Sequence, residues 1–399
     1  VTAGAWITRY NSREDLFIAR LDATGGKLLF STFCGGWGGD FPAALAVTAA
    51  GETVVAGTTN SHDFPVTPGA WSTSNKGYDD IFLLRLDARG AKPLFSTYIG
   101  GKMMDLGIGM ALESGGTILL SGHTTSTDFP VTAGAYDTTH NGNPDAYLLR
   151  VGAQGAKVLA ATFIGGPAHD YGRRLALGPK GEVYITGDTG GGYPTTAKAW
   201  NKSINGRNDA FLSCLDPTLS RLVYSTYLGG SEHDLGYAVA VDSGGTATVA
   251  GATTSCDFPA TAGAFCTTHT GTCYFIRDAF LSRFDPTGSQ LLYSTFLGGK
   301  GHDTALALAV DDRDQAVVAG VTESAGFPTG TGAFDPTHNG RKDGFVSMLL
   351  ARPGVAGIRR YGKGTPSCHG YPTLIAMAPP KAGNPNFGLR CWNLPMLSG

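Results

Sequence analysis

Charge is scarce in this chain. Asp, Glu, Lys and Arg together make up 16% of 399 residues, the formal net charge is −2, and no Lys/Arg block occurs. Nucleic acid and acidic membrane surfaces are recognised by concentrated basic faces, so neither is an expected partner. Long apolar runs are missing too. Nothing approaches the ~18 consecutive apolar residues of a spanning helix, so no transmembrane segment is expected. No stretch repeats its apolar residues at the 3.6-residue period of a long helix. Catalytic signatures are absent: there is no G-x-S-x-G, no P-loop and no H-E-x-x-H. Gly35-Gly-Trp-Gly-Gly39 is Gly-rich but leads into a short strand rather than a helix, which argues against a phosphate cradle. No C-x-x-C occurs, so a zinc site is unsupported. At this length one large or two ordinary domains are expected.

What the chain has in excess is glycine, 59 of 399 residues, about twice the usual share. The glycines show no collagen period and mark tight turns instead. They punctuate a repeat. Asp15-Leu-Phe, Asp80-Ile-Phe, Asp145-Ala-Tyr, Asp209-Ala-Phe, Asp278-Ala-Phe and Asp343-Gly-Phe recur at spacings of 65, 65, 64, 69 and 65 residues. A fixed period of this size indicates an array of supersecondary units. Each unit holds four strand-like segments; in the second these are Ala43–Val47, Thr53–Gly57, Asp80–Asp87 and Leu94–Ile99. Such β-branched and aromatic runs between Gly/Asp turns predict an all-β repeat. Four antiparallel strands per unit in a radial array is a β-propeller blade; the competing β-solenoid uses shorter coils.

The ordered motifs D-A-F-L-x-R-[LF]-D-P-T-G-x-x-L-x-Y-S-T-[YF]-L-G-G, H-D, A-x-A-V-D, V-A-G-x-T and D-F-P-x-T-A-G-A-F resemble the bacterial SBBP-type β-propeller repeat over residues 1–350. The resemblance implies a large secreted or surface-attached bacterial protein, extracellular and mostly without assigned activity. The family name implies seven blades. Here there are five copies of the first two strands and six of the third, so six blades are expected, with five as the alternative. Thr2–Trp6 matches the mid-repeat Thr67–Trp71, which suggests a longer precursor; no signal-peptide pattern opens the sequence. Residues 351–399 break the period and look like the opening of a secreted-protein β-sandwich tail. That tail is either a truncated module or the supplier of closing strands. In the second reading Ile358–Tyr361 completes the fifth blade, and Leu374–Ala378 and Phe387–Trp392 join Asp15–Leu21 and Leu28–Phe33 in a sixth. Closure of that kind would remove free sheet edges.

The loops are unequal, and the long second-to-third-strand loops share a face with the G-G-x-x-x-D loops. Ordered loops of about 20 residues are often functional, so this is the candidate binding face. Eight of the nine histidines fall in or beside its loops. His169, His233 and His302 precede Asp170, Asp234 and Asp303 at the start of the innermost strand, with Asp40 and Asp105 at the equivalent places. These carboxylates have two readings: acceptors for the amides of their own Gly-rich loops, or a ring holding calcium or another divalent cation. No other cofactor is indicated. The repeated Asp15, Asp80, Asp145, Asp209, Asp278 and Asp343 read as blade-internal acceptors. Phe64, Phe129, Tyr193, Phe258 and Phe327 precede prolines in the long loops, followed by Trp71, Tyr136, Trp200, Phe265 and Phe334. These aromatics either form a rim for sugar stacking or pin each loop to its own or the next blade.

Of seven cysteines, Cys266 and Cys273 bracket the one longer loop and are the expected disulfide, with Cys256 as a competitor. Cys368 and Cys391 are a second expected pair. Cys34 and Cys214 are expected reduced and buried. Disulfides would fit an oxidising extracellular setting. The expected role is a structural or adhesive interaction module that engages a protein partner or copies of itself. A glycan-binding propeller is the alternative, and a polysaccharide-acting enzyme is the remaining one.

Overall fold

A computed structural model describes residues 1–10, 14–330, 332–351 and 358–359, and among them every regular element is a strand. Val1–Arg174 with Thr218–Arg221 form one compact unit, and Leu175–Pro217 with Leu222–Gly399 form another. In the first unit, β1 (Leu16–Leu21) and β2 (Leu28–Cys34) pair as a two-stranded sheet. β3 (Asp40–Val47), β4 (Thr53–Thr59), β5 (Asp80–Leu86) and β6 (Pro93–Ile99) form a four-stranded sheet in sequence order. So do β7 (Asp105–Leu112), β8 (Ile118–Thr124), β9 (Asp145–Val151) and β10 (Val158–Ile164). β11 (Asp170–Leu177) leads the next sheet, with β12 (Val183–Thr189), β13 (Asp209–Leu215) and β14 (Leu222–Leu228). The second unit continues with β15 (Asp234–Val241), β16 (Ala247–Thr253), β17 (Asp278–Phe284) and β18 (Leu291–Leu297). Its last sheet is β19 (Asp303–Val310), β20 (Gln315–Thr322), β21 (Asp343–Leu350) and the two-residue β22 (Ile358–Arg359).

The fold is a β-propeller of four-stranded antiparallel blades, with six sheets for six repeats of the Asp-x-aromatic motif. β1 and β2 occupy the third and fourth places of their repeat. The strands expected at Leu374–Ala378 and Phe387–Trp392, and the Cys368–Cys391 pair, lie outside the described residues. One boundary differs from the sequence reading. Each innermost strand starts at the Asp rather than at the apolar run three residues later. Its amide is captured by the loop before the preceding third strand: Asp105 N donates to Asp79 O at 2.7 Å and Asp40 N to Glu14 O at 2.8 Å.

The V-A-G motif has a steric cause. Gly57 lies opposite Phe82 in the β4–β5 ladder, and a Cβ there would fall 2.1 Å from Phe41 O and 2.8 Å from the Phe82 ring. Phe82 therefore packs closely against the glycine. Phe64, from the Phe-Pro pair of the long loop, stacks on its other side with centroids 4.8 Å apart. The same pairs recur as Phe129–Tyr147 at 4.6 Å, Tyr193–Phe211 at 4.2 Å, Phe258–Phe280 at 4.5 Å and Phe327–Phe345 at 4.4 Å. Removing a buried phenyl of this kind costs about 3–5 kcal/mol.

The long loop next covers the outer strand. Thr67 N donates to Ser96 O at 3.0 Å and Tyr98 N to Ser72 O at 3.1 Å, so the loop occupies ladder positions that would otherwise be an open edge. Neighbouring sheets are fastened by the Arg of the third strand. Arg85 binds Glu52 of its own first turn through Nε at 2.9 Å and through Nη2, and its Nη1 donates to Ala153 O at 2.9 Å, in the third-to-fourth turn of the following sheet. Arg20 reaches Ala88 O and Arg283 reaches Ala351 O in the same way. In β13 this Arg is replaced by Cys214, and Tyr184 occupies the region, its hydroxyl donating to Gly245 O at 3.3 Å.

The Arg85–Glu52 pair is only 17% and 22% exposed, between the surface and buried regimes. Arg85→Ala should therefore lower unfolding stability by about 2–3 kcal/mol, because Glu52 loses its partner. Exposed Arg89→Ala should stay within about 0.5 kcal/mol of wild type. Urea unfolding of the two variants checks this, and equal midpoints would mean the clamp contributes nothing.

Candidate functional site

The face that carries the G-G loops is built from buried carboxylates. Asp40 Oδ2 accepts from Gly36 N at 2.8 Å and Ser61 Oγ at 3.0 Å, and its Oδ1 from Thr59 Oγ1 at 2.5 Å. Asp105 takes Gly101 N at 2.7 Å, Ser126 Oγ at 2.9 Å and Thr124 Oγ1. Asp170, Asp234 and Asp303 take Gly166 N, Gly230 N and Gly299 N at 2.7, 2.7 and 2.8 Å. The self-bonded reading of these five aspartates is what the geometry shows. In each, Oδ2 is committed to the amide of its own Gly-rich loop. Among the described residues no three His, Cys, Asp or Glu side chains are grouped to hold a metal ion.

The Asp that opens each third strand is held similarly. Asp80 accepts from Lys76 N at 2.9 Å, Asp145 from Asn141 N at 2.6 Å, Asp209 from Asn205 N at 2.9 Å and Asp343 from Asn339 N at 2.5 Å. In the long-insertion repeat Asp278 takes the N–H and hydroxyl of Thr270, both at 2.7 Å. Two carboxylates then meet at one glycine. A Cβ on Gly100 would stand 2.5 Å from Asp80 Oδ1 and 2.8 Å from Asp105 Oδ2, and Gly229 is flanked likewise by Asp209 and Asp234. Burial pushes these acids up against the pull of their hydrogen bonds, helped by Asp105 beside Asp80, Asp257 beside Asp209 and Asp209 beside Asp234: Asp80 and Asp209 to about 6, Asp234 to about 7.

The candidate aromatics divide into anchors and partly exposed rings. Trp200 is half-buried, its ring 5.8 Å from Phe284 of β17 and its N–H donating to Gly288 O at 3.0 Å, so it pins the loop to the next sheet. Tyr136 N donates to Leu219 O at 2.9 Å, and Phe265 is half-buried, its backbone N donating to the Tyr293 hydroxyl at 3.2 Å. Trp71 and Phe334 are about two-fifths exposed. The histidines stay with their own loops. His302 Nδ1 accepts from Arg277 N at 3.3 Å, and the backbone of His233 exchanges bonds with Thr254. His169 packs on Tyr171 at 5.4 Å, and Tyr171 meets His123 edge-on at 4.8 Å. Burial draws His123 down to about 4.

Sequence reasoning missed four exposed apolar side chains at the variable positions of these loops. Trp37 is 80% exposed and Tyr78 70%, and Met103 and Met104 are 46% and 41%. Tyr78 N donates to Met103 O at 3.2 Å, so those two loops run side by side. The available signal was the departure of these residues from the repeat, which no periodicity marks.

The disulfide also differs from expectation. Cys256 pairs with Cys273, Cα atoms 5.5 Å apart, and Cys266 is a free thiol donating to Thr268 O at 3.2 Å. Cys266 is committed to the outer strand, with its N bound to Thr295 Oγ1 at 2.8 Å and its O to Phe296 N at 3.0 Å. The insertion folds back instead toward the end of β16, where Tyr274 N donates to Thr254 O at 3.1 Å and brings Cys273 to Cys256. Cys34 and Cys214 are buried and outside any disulfide, as expected. Among the described residues no helix is long and apolar enough to cross a membrane.

No family model matches the chain, and neither does any curated protein. Solved structures match its fold. An ulvan lyase described as a new family of polysaccharide lyase, bound to GlcA(1-4)Rha3S, is 9% identical over 95% of this chain and 87% of its own, with a TM-score of 0.50. A Dyadobacter fermentans protein of unknown function is 13% identical over 78% of each chain, at 0.40. Kuenenia stuttgartiensis hydrazine synthase is 11% identical over 77% of this chain, at 0.39; the chain spans 62% of that protein's length. At these identities the likeness is one of fold.

Two outcomes follow. Carboxylates free in the unfolded chain titrate near 4, so between about 4 and 7 the folded state binds more protons than the unfolded one. Their contribution to stability is full below about 4 and is lost as pH rises through 6 to 7, at about 1.4 kcal/mol per pH unit per proton. His123 opposes this with a single group. The melting temperature should therefore rise from pH 7.5 to 5, and Asp234→Asn should flatten the slope; a maximum at pH 7.5 would contradict the assignment. Under non-reducing conditions, native alkylation followed by peptide mass mapping should label Cys266, spare Cys34 and Cys214, and recover Cys256 linked to Cys273. Opening that 17-residue separation should cost about 3 kcal/mol.

Proposed function

We propose that this chain is an extracellular recognition module of the SBBP type, a structural or adhesive part of a secreted or surface-attached bacterial protein that engages a protein partner or copies of itself. The observation that supports this is the exposed set Trp37, Tyr78, Met103 and Met104 on loops whose polar groups are otherwise internally bonded. Aromatic and methionine side chains held in water are typical of contact surfaces, where a few such residues contribute most of the binding free energy. The disulfide between Cys256 and Cys273 agrees with an oxidising setting. The histidines and aspartates of this face repeat from blade to blade, whereas a catalytic centre is a single constellation; no reaction is proposed. A glycan is the second reading, because Trp37 and Tyr78 offer planar, solvent-facing rings suited to stacking on sugars.

Light scattering coupled to size exclusion, with and without chelator, tests self-association first. Assembly or partner binding should weaken at least tenfold in Trp37→Ser/Tyr78→Ser/Met103→Ser, with the melting temperature unchanged. A monomer that binds a glycan array through Trp37 would transfer the reading to carbohydrate. Dissociation on chelation would place a cation in the contact. Unchanged binding by the triple variant would refute this surface.

A further inference from the structure

One residue of the innermost strands breaks the repeat in a way the propeller itself does not need. Four places after the Asp that starts each of these strands stand Ala44, Gly109, Ala238 and Ala307, but in β11 the residue is Arg174. Its Nη1 donates to Ala43 O at 3.1 Å and also to Ile108 O. Ala43 and Ile108 sit where the β3–β4 and β7–β8 registers shift, so their strands bulge there. The guanidinium is thus fixed against β3 and β7. Among the described residues Nε and Nη2 meet no acceptor, and both retain contact with solvent. Among the described residues no carboxylate pairs with Arg174, and burial alone draws its pKa down. Arg85, Arg150 and Arg283, largely buried as well, each face an acid: Arg85 faces Glu52, Arg150 faces Glu113, and Arg283 faces Asp242 and Asp314.

A desolvated guanidinium without counter-charge is costly, and its planar fork is shaped for a carboxylate or another oxyanion. We propose that Arg174 is the cationic anchor of an anion site on the inner strands of the first unit, which takes one small oxyanion, either free or carried as the carboxylate of an acidic sugar. Two of its five donors hold the backbone of β3 and β7, and the solvent-facing edge remains for the ligand. The site is separate from the loop surface of the preceding section and stands or falls independently of it.

The test uses the full chain at constant ionic strength, titrated with sodium acetate, sodium sulfate and sodium galacturonate and followed by melting temperature and calorimetry. A saturable rise should appear in wild type and vanish in Arg174→Met, with Arg174→Lys retaining part of it. Galacturonate binding at least tenfold tighter than acetate would assign the anion to a saccharide; equal affinities would assign it to a free ion. Should Arg174→Met fail to fold, saturable broadening of the acetate resonance by wild-type protein, displaced by sulfate, decides the matter. Absence of saturation with all three anions, or identical curves in wild type and Arg174→Met, would overturn the site and leave Arg174 as a brace for two bulges.

Discussion

A glycine covered by two aromatic rings is the contact on which the rest of each blade depends. Phe82 packs closely against Gly57, and Phe64 closes the stack from the long loop. A Cβ on the glycine would collide with the neighbouring strand's carbonyl as well as the ring, so the strand pairing and the stack impose the same residue. Once Phe64 is seated, the loop that follows is short enough to be drawn along the outer strand, where Thr67 and Ser72 take up its free positions. One hydrophobic contact thereby decides where a polar edge is hidden. This coupling explains why V-A-G, D-x-F and F-P travel together through the chain although they are far apart within each unit.

The carboxylates perform a second task at the start of the innermost strand. Asp105 gathers Gly101 N, Ser126 Oγ and Thr124 Oγ1 around one group, and Asp80 meets it at the preceding glycine, Gly100. Satisfying backbone amides with an acid rather than a neutral side chain gives stronger hydrogen bonds, but places two ionisable groups where water is excluded. The upward shifts of Asp80, Asp209 and Asp234 express that conflict. A structure of this kind is expected to favour mildly acidic surroundings, because protonation relieves repulsion without dissolving the loop.

Much of this was legible from the chain. The period, the four strands per unit and the bonding of the repeated aspartates followed from turn chemistry and regular recurrence. The disulfide was not, because Cys256, Cys266 and Cys273 differ only in which of them the strand edge has already claimed, and that depends on the Cys266–Phe296 and Tyr274–Thr254 hydrogen bonds. The aromatics after the Phe-Pro pairs were readable as either rim or pin; Trp200 resolves to a pin because Phe284 and Gly288 of the next sheet lie within its reach. Trp37, Tyr78 and Met103 went unread for the opposite reason. They obey no period, and a search guided by recurrence passes over whatever does not recur.

That failure carries a general consequence for repeat architectures. Residues that serve the fold are copied, since every blade faces the same steric and edge problems, and Asp105, Gly57 and Phe82 have counterparts in most units. Residues that serve recognition have no reason to be copied, because a ligand or partner meets the assembly at one place. Arg174 among alanines and glycines and Trp37 among the smaller or more polar side chains of the other G-G loops are departures of that sort. They point to recognition more strongly than the conspicuous His-Asp pairs, whose very regularity ties them to the backbone of their own loops.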